Sequence, residues 1–403
     1  MKEIVLKRLF GISIRKKTLC MVSAACVMSI CAFANDGGAR ITVSNPLAAD
    51  RPDEMIVIRW NEIEKIIPGV KKETIRVFEA ETRKESPLQI VEENGGPAEM
   101  LFLASLKSNE TKEFVIESSA KERLSIDPLT DARYMLPRQD VAWENDRIAH
   151  RIYGPALAKE SNNGIDVWTK CVRYPIVEKW YRGDETPGAA RISYHEDHGE
   201  GADFFEVGRS LGDGSCALIE GDSLYQPGVF ESYKILATGP FRSMFEVTYR
   251  PVRFRNFEVR ETKRITLDAG SNLNKIEVTY RCDSAKGSVP FAAGLVKRNG
   301  IKAYWNTDHR WASLWGQTTE KEENGSLGTG LVVPKETFTG MHETAVHLLV
   351  SGTVELGRTA VYYAGAGWTR SGDFKNADEW NRYLAMYAHR IESPLKISLS
   401  ARE

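Results

Sequence analysis

The chain has 403 residues, 54 basic against 55 acidic, and is 42% hydrophobic. That length suffices for a large core and two domains. The near-neutral balance, with no block of Lys and Arg, excludes the electrostatic footprint of a nucleic-acid binder.

The first element in chain order is a three-part leader. Lys2, Lys7, Arg8, Arg15, Lys16 and Lys17 make a basic start, an uncharged apolar run follows from Leu19 to Ala34, and it closes on Ala32-Phe33-Ala34. This pattern predicts a secretory signal over residues 1–34, cleaved after Ala34. Acylation of Cys26 is the weaker reading, because the apolar run continues past it. Elsewhere no stretch reaches the ~20 apolar residues of a membrane span, so none is expected after cleavage. A periplasmic or secreted location follows. The mature chain would carry 48 basic and 54 acidic residues. Its three cysteines, Cys171, Cys216 and Cys282, have no CxxC spacing, which leaves one disulfide or three buried thiols open.

Residues 35–130 read as a small β-sandwich, with short alternating runs such as Met55–Trp60, Thr74–Glu79 and Met100–Ala104. Asn94-Gly95-Gly96-Pro97 reads as a turn. The loop-rich stretch Lys121–Gln139 marks a domain boundary. Residues 131–403 read as a second, larger β-sandwich, with strands that include Ile165–Arg173, Arg191–Tyr194, Ser243–Arg250, Val259–Leu267 and Leu273–Arg281. One helix is predicted near the end. Asn376 suits an N-cap, Glu379 stands three residues on, and Trp380, Leu384, Tyr387 and Ile391 recur at helical spacing. Pro394 ends it, and Leu395–Ser400 reads as a last strand.

Several segments carry a resemblance: Trp143-Glu144-Asn145-Asp146-Arg147, Arg151 to Ala156, Tyr194 to Gly201, and Gly365-Ala366-Gly367-Trp368. They resemble a family of exported Bacteroidota proteins of unknown function found among pectin- and glycan-degrading genes. The second block, with Gly239-Pro240-Phe241-Arg242 leading into paired long strands, is similar to the galactose-mutarotase-like β-supersandwich. The expected class is therefore all-β: a small sandwich, then a large galactose-mutarotase-like supersandwich with a short C-terminal helix. The resemblance implies a carbohydrate partner, an oligosaccharide or polysaccharide. Fold analogy alone assigns no activity.

The densest chemistry is Tyr194 to Asp203, YHEDHGEGAD. Gly199 and Gly201 disfavour a helix there, so a strand end and a loop presenting several side chains are expected. Three readings compete. His195 and His198 serve as general acid and base, with Tyr194 and Glu200 beside them. Alternatively the histidines join Glu200 or Asp203 around a divalent metal, although the spacing matches no familiar metal motif. Otherwise the segment is a solvated turn. No metal ligand is assigned, and a divalent ion is left open. In the second group, strand alternation would place Asn145, Arg147 and Arg151 on one face, where guanidinium groups suit a sugar carboxylate. The alternative is a strand with paired surface charges, and Arg242 has the same two readings, clamp or structural ion pair. Trp305 and Trp368 are candidates to stack on sugar rings.

These pieces suggest β-elimination on a uronic-acid-containing oligosaccharide. An arginine neutralises the carboxylate, a histidine removes the adjacent proton, and Tyr194 protonates the leaving oxygen. Hydrolysis by paired carboxylates (Glu196, Glu200 or Asp203) and non-catalytic glycan binding are the alternatives. All of these readings require the histidine loop and the arginine-bearing strand to share a cleft.

Overall fold

The computed structural model describes residues 38–92 and 96–402. The export signal expected over residues 1–34, and the first half of the turn at 94–97, lie outside the described residues.

Alternating side chains in the first 80 described residues drive two short sheets together. One has the order Lys396–Ala401, Ala39–Ser44, Thr111–Ser118, Ile75–Glu79 and Glu85–Ser86. The other joins Arg51–Arg59, Glu99–Leu106 and Gln89–Val91. Ile41, Val43, Ile56, Ile58, Phe102 and Phe114 meet between them, as the period-2 pattern of a half-buried strand requires. A short helix, α1 (Trp60–Ile66), adds Trp60 and Ile63 to the same core. The terminal strand completes this layer by pairing antiparallel along all of Ala39–Ser44. Both ends of the described chain thus build one sheet.

The larger sandwich is all antiparallel within its named strands. Its long sheet runs Phe230–Thr238, Arg242–Tyr249, Phe257–Asp268, Leu273–Arg281, Thr359–Trp368, Ser326–Val332, Trp311–Gln317 and Lys302–Asn306. Two five-stranded sheets face it: one centred on Asp213–Glu220 and Ser288–Val296, the other on Asp140–Glu144, Ala149–Ile152 and Ile165–Lys170. Phe245, Ile265 and Leu331 of the long sheet, Leu218 and Leu295 of one cover, and Trp143 and Val167 of the other share a single core. The all-β sandwich architecture expected from strand alternation is the one observed.

Three local expectations are corrected. Arg191–Tyr194 is no strand, because Pro187-Gly188 opens a 3-10 turn and the chain then runs irregularly into the histidine loop. Residues 145–148 are the turn of a hairpin, so Asn145 and Arg147 do not share a strand face with Arg151. The strand expected over Ile165–Arg173 ends at Lys170, and a helix that was not foreseen, α2 (Val177–Glu185), follows. The helix near the end, α3 (Ala377–Glu392), stands as expected, with Asn376 Oδ1 accepting from the Glu379 backbone N–H at 3.0 Å. The three described cysteines are free thiols.

Candidate functional site

The site is best built outward from the hairpin Asp140–Glu144 and Ala149–Ile152. Asn145 makes its turn. The side-chain oxygen accepts from the N–H groups of Arg147 (2.9 Å) and Ile148 (3.0 Å), and its amide donates to the carbonyls of Asp268 and Ser271 at 2.6 Å. Asn145 is wholly buried, so its amide serves the fold. Arg147 leaves the turn toward Asp373 (2.6 Å), Asp146 (3.1 Å) and Asp53 (3.4 Å). Three carboxylates already surround it.

Arg151 lies on the returning strand and points inward. Its guanidinium meets Asp166 at 2.6 Å and Asp203 at 3.0 Å, donates to Tyr194 Oη at 3.1 Å, and sits over the rings of Tyr153 and Trp168. With its side chain 6% exposed, it is a buried counter-ion, not a clamp open to ligand. Asp140 stands 4.0 Å away. Arg151, with a weaker pull from Arg138, does not offset the burial of three carboxylates, so burial favours their protonated forms. Desolvation raises the pKa of Asp166 and Asp203 against the pull of Arg151, and Asp166 pushes Asp203 further up. Desolvation also lifts Asp140 to about 6. Burial opposes the charge of Arg151, but Asp166 and its neighbours hold that pKa well above the usual range. Tyr194 is buried against Trp168 and Tyr181, with its hydroxyl engaged by Arg151. The acid role expected of it has no access to solvent.

The histidine loop rises from this buried network into an open cleft of about 910 Å³. Asp197 shapes the loop. One oxygen accepts from the backbone N–H of Gly199 (2.7 Å) and Gly201 (3.0 Å), and the other pairs with Arg370 (2.5 Å). These bonds outweigh desolvation and hold its carboxyl below the usual value. Gly201 is required here: φ is +118°, and a Cβ would fall 2.0 Å from the Thr169 carbonyl. His195 faces the cleft with a side chain 56% exposed, and its Nδ1 is 3.2 Å from the Asp203 carbonyl and 3.5 Å from the Asp203 carboxylate. His198 instead sets Nε2 3.2 Å from the Ser193 carbonyl. Glu200 accepts from Tyr174 (2.5 Å), Lys179 (2.6 Å) and Trp180 (3.1 Å), so its oxygens are engaged away from the cleft.

The opposite wall was not foreseen. Glu320, Lys321, Glu323 and Asn324 come from the loop after Trp311–Gln317, and Arg370 from the turn after Trp368. Trp368 pins that wall from below: wholly buried, its indole N–H donates to the Asn324 carbonyl at 2.7 Å, and Arg370 lies over its ring at 5.1 Å. Trp368 therefore has no free face for a sugar. A run of five charged or amide residues, Glu320 to Asn324, was the available signal, but it is equally that of a solvated turn.

The remaining candidates lie elsewhere. Arg242 is bidentate to Asp268 (2.6 and 2.8 Å) and meets Glu99 at 3.1 Å, on the wall of a separate pocket of about 250 Å³. Trp305 is half exposed on the edge strand Lys302–Asn306. Arg151, Tyr194 and His195 thus meet through Asp203, beneath the cleft; Arg147, Arg242 and Trp305 do not join them.

Among known proteins, the family described as "Domain of unknown function (DUF4861)" matches residues 43–397. "Uncharacterized protein P7" of Formosa agariphila is 30% identical over 402 aligned positions, covering 94% of this chain and 98% of that protein. Two solved structures from Enterococcus faecalis are similar to 92% of this chain. One is titled as a protein in the Glycosyl Hydrolase Family 38 (TM-score 0.49, 10% identity) and the other as an alpha-mannosidase (TM-score 0.48, 9% identity). The chain spans about half the length of each, 48% and 47%.

Proposed function

We propose a function from one premise: the chain belongs to the DUF4861 family, a domain of unknown function, so its chemistry must be argued from its own cleft. The reading is a carbohydrate-active protein that works outside the cytoplasm and cleaves uronic-acid-containing oligosaccharides by β-elimination. The carrying observation is the His195–Asp203 pair. The Asp203 backbone carbonyl, 3.2 Å from Nδ1, can only accept, so it favours the tautomer with Nδ1 protonated and leaves Nε2, which has no hydrogen-bond partner among the described residues, to take a proton.

Arg370 and Lys321 are the cations of the cleft, and they replace Arg147 and Arg151 as carboxylate ligands. The ammonium of Lys321 has no ion-pair partner among the described residues. A uronate carboxylate against them acidifies the adjacent C–H. His195 removes that proton, the electron pair forms the new C=C bond, and the glycosidic C–O bond breaks. Its oxygen leaves with a proton from Lys321 or water. Tyr194 drops out as the acid because it is buried.

A second reading is favoured by Glu196, Glu320 and Glu323, which line the same cleft. Two of them could hydrolyse a glycosidic bond if their carboxyls stand about 5–9 Å apart across it. Incubation with pectic, glucuronic and alginate oligosaccharides separates the two: new ultraviolet absorbance marks elimination, and reducing ends without it mark hydrolysis. His195→Ala should lower the elimination rate by at least about 100-fold with an unchanged circular dichroism spectrum. His198→Ala should keep the wild-type rate. Full activity in His195→Ala removes the proposed base. Export is tested by the N-terminal sequence of protein recovered from the periplasm, expected to begin at Asn35.

A further inference from the structure

At the C-terminal end of α3, a second set of side chains converges. His309 lies in the turn between Lys302–Asn306 and Trp311–Gln317, where its backbone N–H donates to Asn306 Oδ1 at 2.9 Å. The next residue, Arg310, has φ +54°, a left-handed step that turns the chain back within the hairpin. His389 and Glu392 stand three residues apart on α3, a spacing that puts both on one face. One ligand atom from each of His309, His389 and Glu392 lies within 4.8 Å of the other two. The imidazole centroids are 4.6 Å apart. Neither ring hydrogen-bonds to another described residue, although both are half-buried. The two half-buried rings thus stand close together with their nitrogens free of other described residues.

We propose that His309, His389 and Glu392 bind a zinc-class divalent cation. Two imidazoles and a carboxylate are a donor set suited to Zn²⁺ and its first-row neighbours. Donor atoms around tetrahedral zinc stand about 3.4 Å apart, given bonds of about 2.0–2.1 Å, so rotamer adjustments of about an ångström close the site. Glu392 is also ion-paired with Arg310. A carboxylate has two oxygens, so Arg310 can retain one and orient the other, as an outer-shell partner does. His309 and Glu392 line a depression of about 450 Å³ together with Pro334, Lys335 and Glu336, so water can complete the coordination. The ion would join the last turn of α3 to the hairpin of the long sheet. Directly beyond that turn, Pro394 leads into Lys396–Ala401, the strand that closes the N-terminal layer. A structural clasp is the role this position supports.

The test is calorimetric titration of tag-free, chelator-treated protein with Zn²⁺, paired with thermal unfolding. One site per chain is expected, with a Kd of about 10 µM or tighter and a rise in Tm of at least about 3 °C at saturation. His309→Ala and His389→Ala should each weaken binding at least about tenfold and abolish the rise in Tm. Should His389→Ala fail to fold, His309→Gln on the exposed turn carries the test. His342→Ala, an imidazole elsewhere on the surface, should bind as wild type. Absence of saturable binding, or binding unchanged in the His309 variants, overturns the site.

Discussion

Asp203 has a buried guanidinium on one side and an exposed imidazole on the other, and the two demands pull against each other. Arg151 favours its charge, while burial and Asp166 oppose it. Asp203 is a positioning residue, since it acts through His195. Asp203→Asn should lower turnover by about tenfold or more with KM little changed and displace the acid limb of the pH profile, whereas a purely structural role would lower Tm and leave that profile in place. The same buried cluster makes stability depend on pH. Asp140, lifted from 3.8 to about 6, binds its proton more tightly folded than unfolded. Its contribution is full below about 4 and is lost as pH rises through 6, on the order of 3 kcal/mol. His347 has the opposite sign. Burial lowers it from 6.5 to about 4, and its Nε2 accepts from the Leu211 backbone N–H at 3.0 Å. Its contribution is present above 6.5 and is lost as pH falls toward 4. Urea unfolding midpoints should show Asp140→Asn gaining on wild type as pH rises from 4 to 6.5, and His347→Gln gaining as pH falls across the same range. Parallel curves for either variant would remove that residue from the linkage.

At the level of elements, α3 and α2 differ in what a linear reading can reach. The cap and apolar stripe of α3 are local, at Asn376, Glu379, Trp380 and Leu384, and they predict the helix correctly. Its seat is less local. Gly328, Gly330 and Gly367, on two neighbouring strands, leave a shallow bed, and a Cβ on Gly330 would come within 2.8 Å of Leu384. Gly330→Val should therefore cost about 1–3 kcal/mol, read as a lower urea midpoint. In α2 the N-terminal N–H groups of Ile176 and Val177 are satisfied by Glu144, more than thirty residues earlier, and Glu144 is in turn paired with Lys170 at 2.7 Å in full burial. No neighbouring residue announces such a cap. Desolvation raises the pKa of Glu144 against the pull of Lys170, so removing the cation leaves an unpaired buried carboxyl. Lys170→Met should cost about 3–5 kcal/mol.

Across the molecule, the two layers are joined by backbone and by side chain. The Gln89 side-chain oxygen, in the N-terminal layer, accepts from the N–H groups of Phe241 and Arg242 at 2.8 and 2.9 Å, where the long sheet begins its second strand. The terminal strand Lys396–Ala401 covers the edge of Ala39–Ser44, while Leu395 and Leu399 pack on the core beneath. Truncation after Pro394 would uncover that edge, the usual template for intermolecular pairing. The truncated protein should lose cooperative unfolding of the N-terminal layer and form oligomers, visible by light scattering. A monodisperse truncation with the full-length Tm would show that the strand is dispensable.

The sequence by itself determined the all-β class, the last helix with its cap, and the loop character of residues 194–200. Each depends on residues a few positions apart: alternation, an Asn before a helical stripe, glycines between charges. Only the tertiary structure decided which of those residues face solvent. It buried Arg151, Tyr194 and Trp368, tied Glu200 to α2, turned His195 outward over Asp203, and set Glu320, Lys321 and Arg370 across from it. It also gathered His309 with His389 and Glu392, eighty residues apart in the chain. The reason is physical. A side chain's chemistry is written in its type, but its exposure and its counter-charges are set by strands that pair at long range, and no local pattern encodes those pairings.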